Sequence, residues 1–286
     1  MDIRFLSTLL AVVQSGSYAQ ASRQQNLTAA TVAQRIRTLE TDLKLTLFIR
    51  SGHTVVPTDS CRALLPRIQR IVEEASQLRG DADENGLSGP LRLGAISTVL
   101  TDYAPAIVDR FAQSAPNAKL TILPGTSAQL YQDLRAGSLD LAMISAPPFA
   151  LPKSLISYPI ADQSLVLVVP ESEPSNDIAV ICARHQMLVY DRQAWGGKII
   201  WDRLAAMAVP IDILCELDAL ETIVSLVAGG TGVALLPQWQ GLSTLGGVRL
   251  VPCDGPKRQI VAVAARGAAR PALIDLCLNS CKVSAR

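Results

Sequence analysis

Two hydroxyl pairs, Ser97-Thr98 and Thr126-Ser127, each follow an apolar run and precede a helical one. A Ser or Thr at such a junction caps a helix, and the free backbone amides beside it suit an anion. Ordinary capping accounts for part of this pattern, because Ser and Thr are favoured caps anywhere. The other residues with chemical reach lie upstream, in NLTAATVAQRIRTLET (26–41). Val32, Ile36, Leu39 and then Leu43 step by four, three and four, one stripe of an amphipathic helix. The opposite face carries Ala30, Gln34, Arg37 and Thr41, with Ala33 on its flank. A merely solvated face usually carries Glu and Lys. Short side chains with an amide and a guanidinium between them suit close approach to another surface, and those two groups pair with base edges and phosphates.

Catalytic and metal chemistry find little support. The six cysteines (61, 182, 215, 253, 277, 281) form no CxxC pair, and two histidines leave no Cys–His zinc pattern. No GxSxG, HExxH or Walker loop occurs, and GGTG at 229–232 lacks the remaining glycines of a nucleotide fingerprint. The expectation is therefore no enzyme, no cofactor and no metal. Idle thiols in a reducing compartment are the simple reading of the cysteines. Cys182 and Cys215 form a redox pair only if the fold brings them together.

The elements that must position these residues are legible in outline. A first helix carries Leu6, Leu9, Leu10 and Val13 as its stripe and stops at Ser15-Gly16. Ser17 opens a second helix as SYAQ, a capping box with Gln20 reaching back to the Ser17 amide, and Asn26 ends it. Thr28 caps the third, so the second and third helices have helix-turn-helix spacing. LFIRSGHTVV reads as two short strands around Ser51-Gly52, a wing. From Thr58 a helix carries a heptad seam of Leu64, Ile68, Ile71, Ala75 and Leu78, bent by Pro66 and expected to pair with a second subunit. GDADENGLSGP then marks a hinge.

Beyond it, LRLGAI, KLTILPG, LDLAMIS, SLVLVVP, QMLVYD, DILCEL, GVALLP and QIVAVAAR are strand candidates. Helices are predicted at about 100–114, 127–136, 197–208, 218–228 and 271–281. This alternation predicts α/β units with buried, largely parallel sheets. A break near Tyr158-Pro159 suggests two subdomains with a ligand cleft between them.

The 286 residues suggest two or three domains, and 49% hydrophobic residues are ample for burial. No apolar run approaches the roughly 20 residues of a membrane span. The N-terminus reads as a folded helix rather than a signal peptide, which predicts a cytoplasmic protein. Residues 1–80 hold 10 Lys and Arg against 6 Asp and Glu, the remainder 16 against 19. A basic N-terminal piece on a faintly acidic body suits a nucleic-acid module fused to something else.

With these elements placed, the chain resembles the LysR-type transcriptional regulators over essentially its whole length. The resemblance is carried by SYAQAS at 17–22, Val32, Ile36, LE at 39–40, Leu43, LF at 47–48 and Arg50. It continues through LRLGAI, GTSAQL, GSLDLAM, SLVLVVP and LVAGGTGVALLP. It implies an α/β protein: a winged helix-turn-helix over 1–57, a dimerising linker helix and hinge over 58–88, and a periplasmic-binding-protein-like effector domain over 91–286. Subdomain I would span about 91–160 and 267–286, subdomain II about 161–266. Implied partners are double-stranded promoter DNA, a small-molecule inducer and further copies of the chain as dimer or tetramer, with RNA polymerase a further possible partner. No membrane is implied.

On this reading Ser17, Thr28, Ala29, Ala30, Ala33, Gln34, Arg37, Arg50 and His53 face DNA, with Gln34 reading adenine, Arg37 on phosphate and His53 at the minor groove. Inducer contacts are expected from Ser97, Thr98, Thr126, Ser127 and Ser145, and from Tyr190, Leu217 and Thr231. Asp218 is assigned to capping its own helix. No arginine is placed at a strand end, and relatives responding to aromatic acids can carry one where Ser145 stands. A polar or monoanionic metabolite, such as a monocarboxylate, is therefore expected. The chain departs from the family at Thr28-Ala29-Ala30, where Ser-Gln-Pro or Ser-Gln-Ser is common, and at Ala33, usually Ser. It departs again at Gln25, usually Leu, and at Cys61, commonly Gly. A redox-sensing regulator is the alternative. A stand-alone solute-binding protein would need export and leaves the basic helices without a role.

Overall fold

The computed structural model describes residues 2–51, 54–77, 86–207 and 209–284; His53, Leu78 and most of the hinge stretch lie outside them. The chain divides into two compact units, Met1–Asp83 and Glu84–Arg286.

In the N-terminal unit, α1 (Ile3–Ser15) starts on the Asp2 carboxylate and ends at Gly16, whose φ of 64° is costly for any residue with a Cβ. Helix α2 (Tyr18–Gln24) is followed by Asn26 at φ 53°, and α3 (Ala29–Leu43) by Lys44 at φ 55°. Strands β1 (Phe48–Ser51) and β2 (Thr54–Pro57) pair antiparallel as the wing, and α4 (Asp59–Gln77) follows. The stripe Val32, Ile36, Leu39 is buried against Leu6, Leu9 and Val12. Glu40 ties the wing down by accepting from the Leu47 amide at 2.8 Å.

One sequence expectation fails in this unit. Ser17 stands at the N-cap of α2, but its hydroxyl makes no cap bond, so no capping box forms. Part of the α4 seam serves this unit's own core: Ile68 is 5% exposed there, and the half-exposed Leu64 and Ile71 pack against it. A four-three pattern marks an apolar face without saying which surface covers it.

The second unit is built on a six-stranded sheet of order β4-β3-β5-β10-β6-β9. Its first core surrounds β3 (Gly89–Ala95), β4 (Ala118–Pro124) and β5 (Leu141–Ser145), covered by α5 (Ser97–Ser114), α6 (Ser127–Ala136) and α10 (Pro271–Ser284). A second pair of apolar clusters surrounds β7 (Met187–Tyr190), β8 (Ile213–Leu217) and β9 (Ala234–Pro237), with α7 (Ile178–Arg184), α8 (Trp195–Ala206) and α9 (Leu220–Ala228). These are two subdomains of one α/β unit. Two long strands, β6 (Leu155–Pro170) and β10 (Val248–Ala265), run through both and pair antiparallel from Leu155↔Ala265 to Pro170↔Val248.

The sheet is therefore mixed, not largely parallel, because β10 also pairs antiparallel with β5, and β6 with β9. Nor does the chain break at Tyr158-Pro159. Pro159 sits inside β6 at an irregular step in the register, where a residue without an N–H is tolerated. The sequence reading missed α7 and the outer halves of β6 and β10, where polar residues interrupt the apolar run. No helix among the described residues is long and apolar enough to cross a membrane.

Candidate functional site

The first candidate surface is the outward face of α3. Thr28 caps it, its hydroxyl accepting from the Thr31 amide at 3.1 Å. The Ala29 and Ala30 amides precede the first intrahelical bond, and Thr28, Ala29, Ala30, Gln34 and Arg37 are exposed while Ala33 is half-buried. Arg35 turns the other way: its guanidinium donates to Thr8 Oγ1 at 2.9 Å and lies over the Phe5 ring at 5.7 Å. Of the two arginines in this helix, only Arg37 faces out. Arg50 is exposed on β1, and Ser17 is half-buried beside Ser15, whose hydroxyl donates to the Ser17 carbonyl at 3.1 Å.

The second lies where β6 and β10 cross between the subdomains. Thr98 in the first turn of α5 and Ser127 in that of α6 are buried, while Ser97 and Thr126 are exposed. The hydroxyls of Thr98, Thr126 and Ser127 each have a protein partner. Thr126 accepts from the Gln129 amide at 3.3 Å, Ser127 Oγ from the Ser145 amide at 3.1 Å, and Thr98 Oγ1 from Arg258 Nη2 at 2.9 Å.

Arg258 corrects the expectation that no arginine reaches the strand ends. It follows the register shift between Cys253 and Arg258 in β10, so its side chain is carried inward at the crossing. It is 1% exposed, and Nε donates to Gln163 Oε1 at 2.8 Å. No carboxylate among the described residues lies within ion-pair distance of it. Burial pulls its guanidinium down to about 10, offset by the more distant Tyr190, Asp102 and Glu221, so it remains a cation at neutral pH. Asp102 is no counter-ion at contact range: its carboxylate accepts from the Gln240 and Gly241 amides at 3.0 and 2.8 Å, and burial pushes its pKa up.

Beside Arg258 lies a cavity of about 130 Å³ lined by Ser145, Trp195, Ile199 and Lys257 among others. Helix α8 starts there at Trp195 with no side-chain cap. Trp195 also packs on Tyr131 of α6 and on Phe149, with ring centroids 5.7 and 5.4 Å apart, so aromatic rings bridge the two subdomains. Tyr190 is half-buried at the end of β7. Burial and then the Asp218 carboxylate push its hydroxyl's pKa up. Asp218 does not cap α9, whose N-cap is Ala219 with no side-chain cap bond. Leu217 is half-buried at the end of β8, and Thr231 is exposed in the turn after α9.

Cysteine chemistry gains nothing from the fold. Cys182 lies in one apolar cluster with Cys253 while Cys215 packs against another, and burial pushes the Cys182 thiol up, away from thiolate. Among the described residues no group of His, Cys, Asp and Glu could hold a metal ion.

Comparison with known proteins matches residues 3–62 to the bacterial regulatory helix-turn-helix protein, lysR family, and residues 84–285 to the LysR substrate binding domain. The HTH-type transcriptional activator IlvY of Salmonella typhimurium is 28% identical over 254 residues, 83% of each chain. Among solved structures, a full-length OxyR variant from Pseudomonas aeruginosa superposes with a TM-score of 0.70 at 23% identity, covering 99% of this chain and 95% of that one. Full-length CbnR complexed with its target DNA gives 0.71 at 19% identity, covering 99% and 100%. At these identities the structures establish the shared fold.

Proposed function

This chain belongs to the LysR family of DNA-binding transcriptional regulators, which are not enzymes, and on that premise we propose how it reads DNA and where it senses its effector. Helix α3 enters the major groove with Ala29, Ala30 and Ala33 close to the bases, where methyl groups favour thymine. Gln34 reads adenine. The Thr28 turn with its free amides and Arg37 hold phosphates, and Arg50 and His53 serve the wing. The carrying observation is the division of the two helix arginines: Arg35 is committed to the core, which leaves Gln34 and Arg37 as the long outward groups on a face of small residues.

The effector is a small polar or monoanionic metabolite bound between the subdomains, where α5, α6 and α8 begin, with Thr98, Thr126, Ser127 and Ser145 on one side and Tyr190, Leu217 and Thr231 on the other. Its binding shifts the population between two arrangements of the assembled protein. Assembly as a dimer or tetramer is part of the proposal, with the half-exposed Leu64, Ile71 and Ala75 of the α4 seam offered to a partner beside the buried Ile68. RNA polymerase is the proposed recipient of the signal, a reading that rests on family resemblance alone.

The test uses DNA sites selected by the purified protein from a random-sequence pool. Gln34→Ala should lose discrimination at one base pair, about 1–3 kcal/mol. Arg37→Ala should weaken binding to all sequences and reduce the salt slope by about 1. Unchanged affinity and specificity in both variants would remove this face from the interface.

A further inference from the structure

We infer that Arg258 is the anion receptor of the effector unit and that its ligand is a short-chain monocarboxylate, an inference that rests on the proposed effector cleft and names the chemistry that cleft accepts. The starting point is an imbalance of charge. A guanidinium 1% exposed, held by the neutral oxygens of Gln163 and Thr98, has no carboxylate at ion-pair range among the described residues. Taking a cation out of water without an anion is costly, and proteins offset that cost with a partner or a bound ion. Nε and Nη2 are used; Nη1 makes no hydrogen bond to any described residue.

Three further features converge on that open donor. A Cβ built on Gly196 would stand 3.5 Å from Nη1, 2.9 Å from Arg258 Cδ and 3.1 Å from Ser145 Oγ, so all three groups crowd one point beside the first turn of α8. That turn has no side-chain cap, and its leading amides carry the positive end of a 12-residue helix. The adjoining cavity then sets the size. Its 130 Å³ is close to that of an engineered cavity of about 150 Å³ that takes up benzene, room for a carboxylate on a short carbon skeleton. Trp195 and Ile199 offer apolar contact to that skeleton, and Lys257 stands at the rim. One buried donor fork and one helix terminus satisfy a single carboxylate. A second carboxylate would have only the exposed Lys257 to meet.

The measurement is quenching of tryptophan fluorescence in the full chain, since Trp195 lines the cavity, alongside the thermal midpoint in an anion-poor buffer. The probes are acetate, propionate, lactate and pyruvate, set against acetamide, propionamide and lactamide, the dianion succinate, and inorganic phosphate and sulfate. Monocarboxylates should bind at least tenfold more tightly than their amides and than the dianions. Arg258→Met should lose that binding at least tenfold and keep or raise the thermal midpoint without anion, because it removes an unpaired buried charge; an arginine serving only to bridge Gln163 and Thr98 would lower it. Gly196→Ala, which keeps the arginine and fills the point it shares with Ser145, should lose the same binding while retaining selected DNA. Equal binding of amides and acids would overturn the anionic class and leave the cleft standing. Undiminished carboxylate binding in both variants would overturn the assignment to Arg258. Carboxylate binding through Arg258 by a protein that retains no DNA would support this site and refute the regulatory reading instead.

Discussion

Thr8 is where the stability of the DNA-reading unit can be tested most sharply. It is fully buried in α1, and its hydroxyl sits 2.7 Å from Gln25 Oε1 while accepting from Arg35 Nη1 at 2.9 Å. One oxygen thus ties together α1, the end of α2 and the recognition helix α3. Gln25 also donates to the Ser7 carbonyl at 3.1 Å, so its amide is committed to α1 at both ends. Thr8→Val keeps the shape and removes the oxygen. Arg35 then loses an acceptor and Gln25 a donor; the half-exposed Arg35 recovers part of that from water, leaving a cost of about 1.5–3 kcal/mol. Gln25→Leu restores the residue common in the family. It leaves Thr8 bonded to the Arg4 carbonyl at 2.8 Å and to Arg35, so it should cost within about 1 kcal/mol, since apolar replacement of a bonded group is close to neutral. All three tryptophans lie in the effector unit, so the assay is hydrogen exchange of peptides from residues 2–50 in the intact chain. At 1.4 kcal/mol per tenfold, protected amides of α1 and α3 should exchange roughly 10–100-fold faster in Thr8→Val and less than tenfold faster in Gln25→Leu. The reverse order, or Thr8→Val within threefold of the parent, would refute the hydroxyl's role as the joint.

Two other perturbations address the effector unit. A Cβ on Gly197 would lie 1.8 Å from the Asp191 carbonyl oxygen, a backbone atom with no rotamer to escape into; Gly197→Ala should therefore cost at or above the usual 1–3 kcal/mol of overpacking, read as a lowered urea midpoint by tryptophan fluorescence, and an unchanged midpoint would contradict the packing. The Glu173 carboxyl is held below its ordinary 4.5, first by the His185 hydrogen bond at 2.8 Å and then by the Ser175 amide. A depressed carboxyl stabilises the fold above the unfolded value and loses that contribution as pH falls through the folded one. The part of the stability gap between the parent and Glu173→Gln that this carboxylate supplies should thus be lost as pH falls below 4.5; a gap that widens there with acid would reverse the sign.

Much of the DNA-reading unit was legible because its signals are local. The stripe Val32, Ile36, Leu39, the stop at Gly16 and the Thr28 cap each depend on residues within a few positions, and the structure repeats them. The SYAQ capping box was equally local in appearance and did not form, since the residues match the motif without the hydroxyl making the bond. Asp218 shows the same limit: an acid before a helix reads as a cap, yet Ala219 stands at that position and no side-chain cap bond forms.

The cleft divides along the same line. Its helix starts at Ser97 and Ser127 follow from turns next to apolar runs, which sequence alone determines. Arg258 carries no local signal: it stands in a polar stretch, PCDGPKRQ, with nothing beside it to mark burial. Only the tertiary structure decides its role. A register shift in β10 turns its side chain into the crossing, where Gln163 and Thr98, 95 and 160 residues away in the chain, meet it. Periodicity and capping act over a few residues and are written in composition. Desolvation of a charge depends on which distant segments close around it, and that is settled only when the two long strands pair.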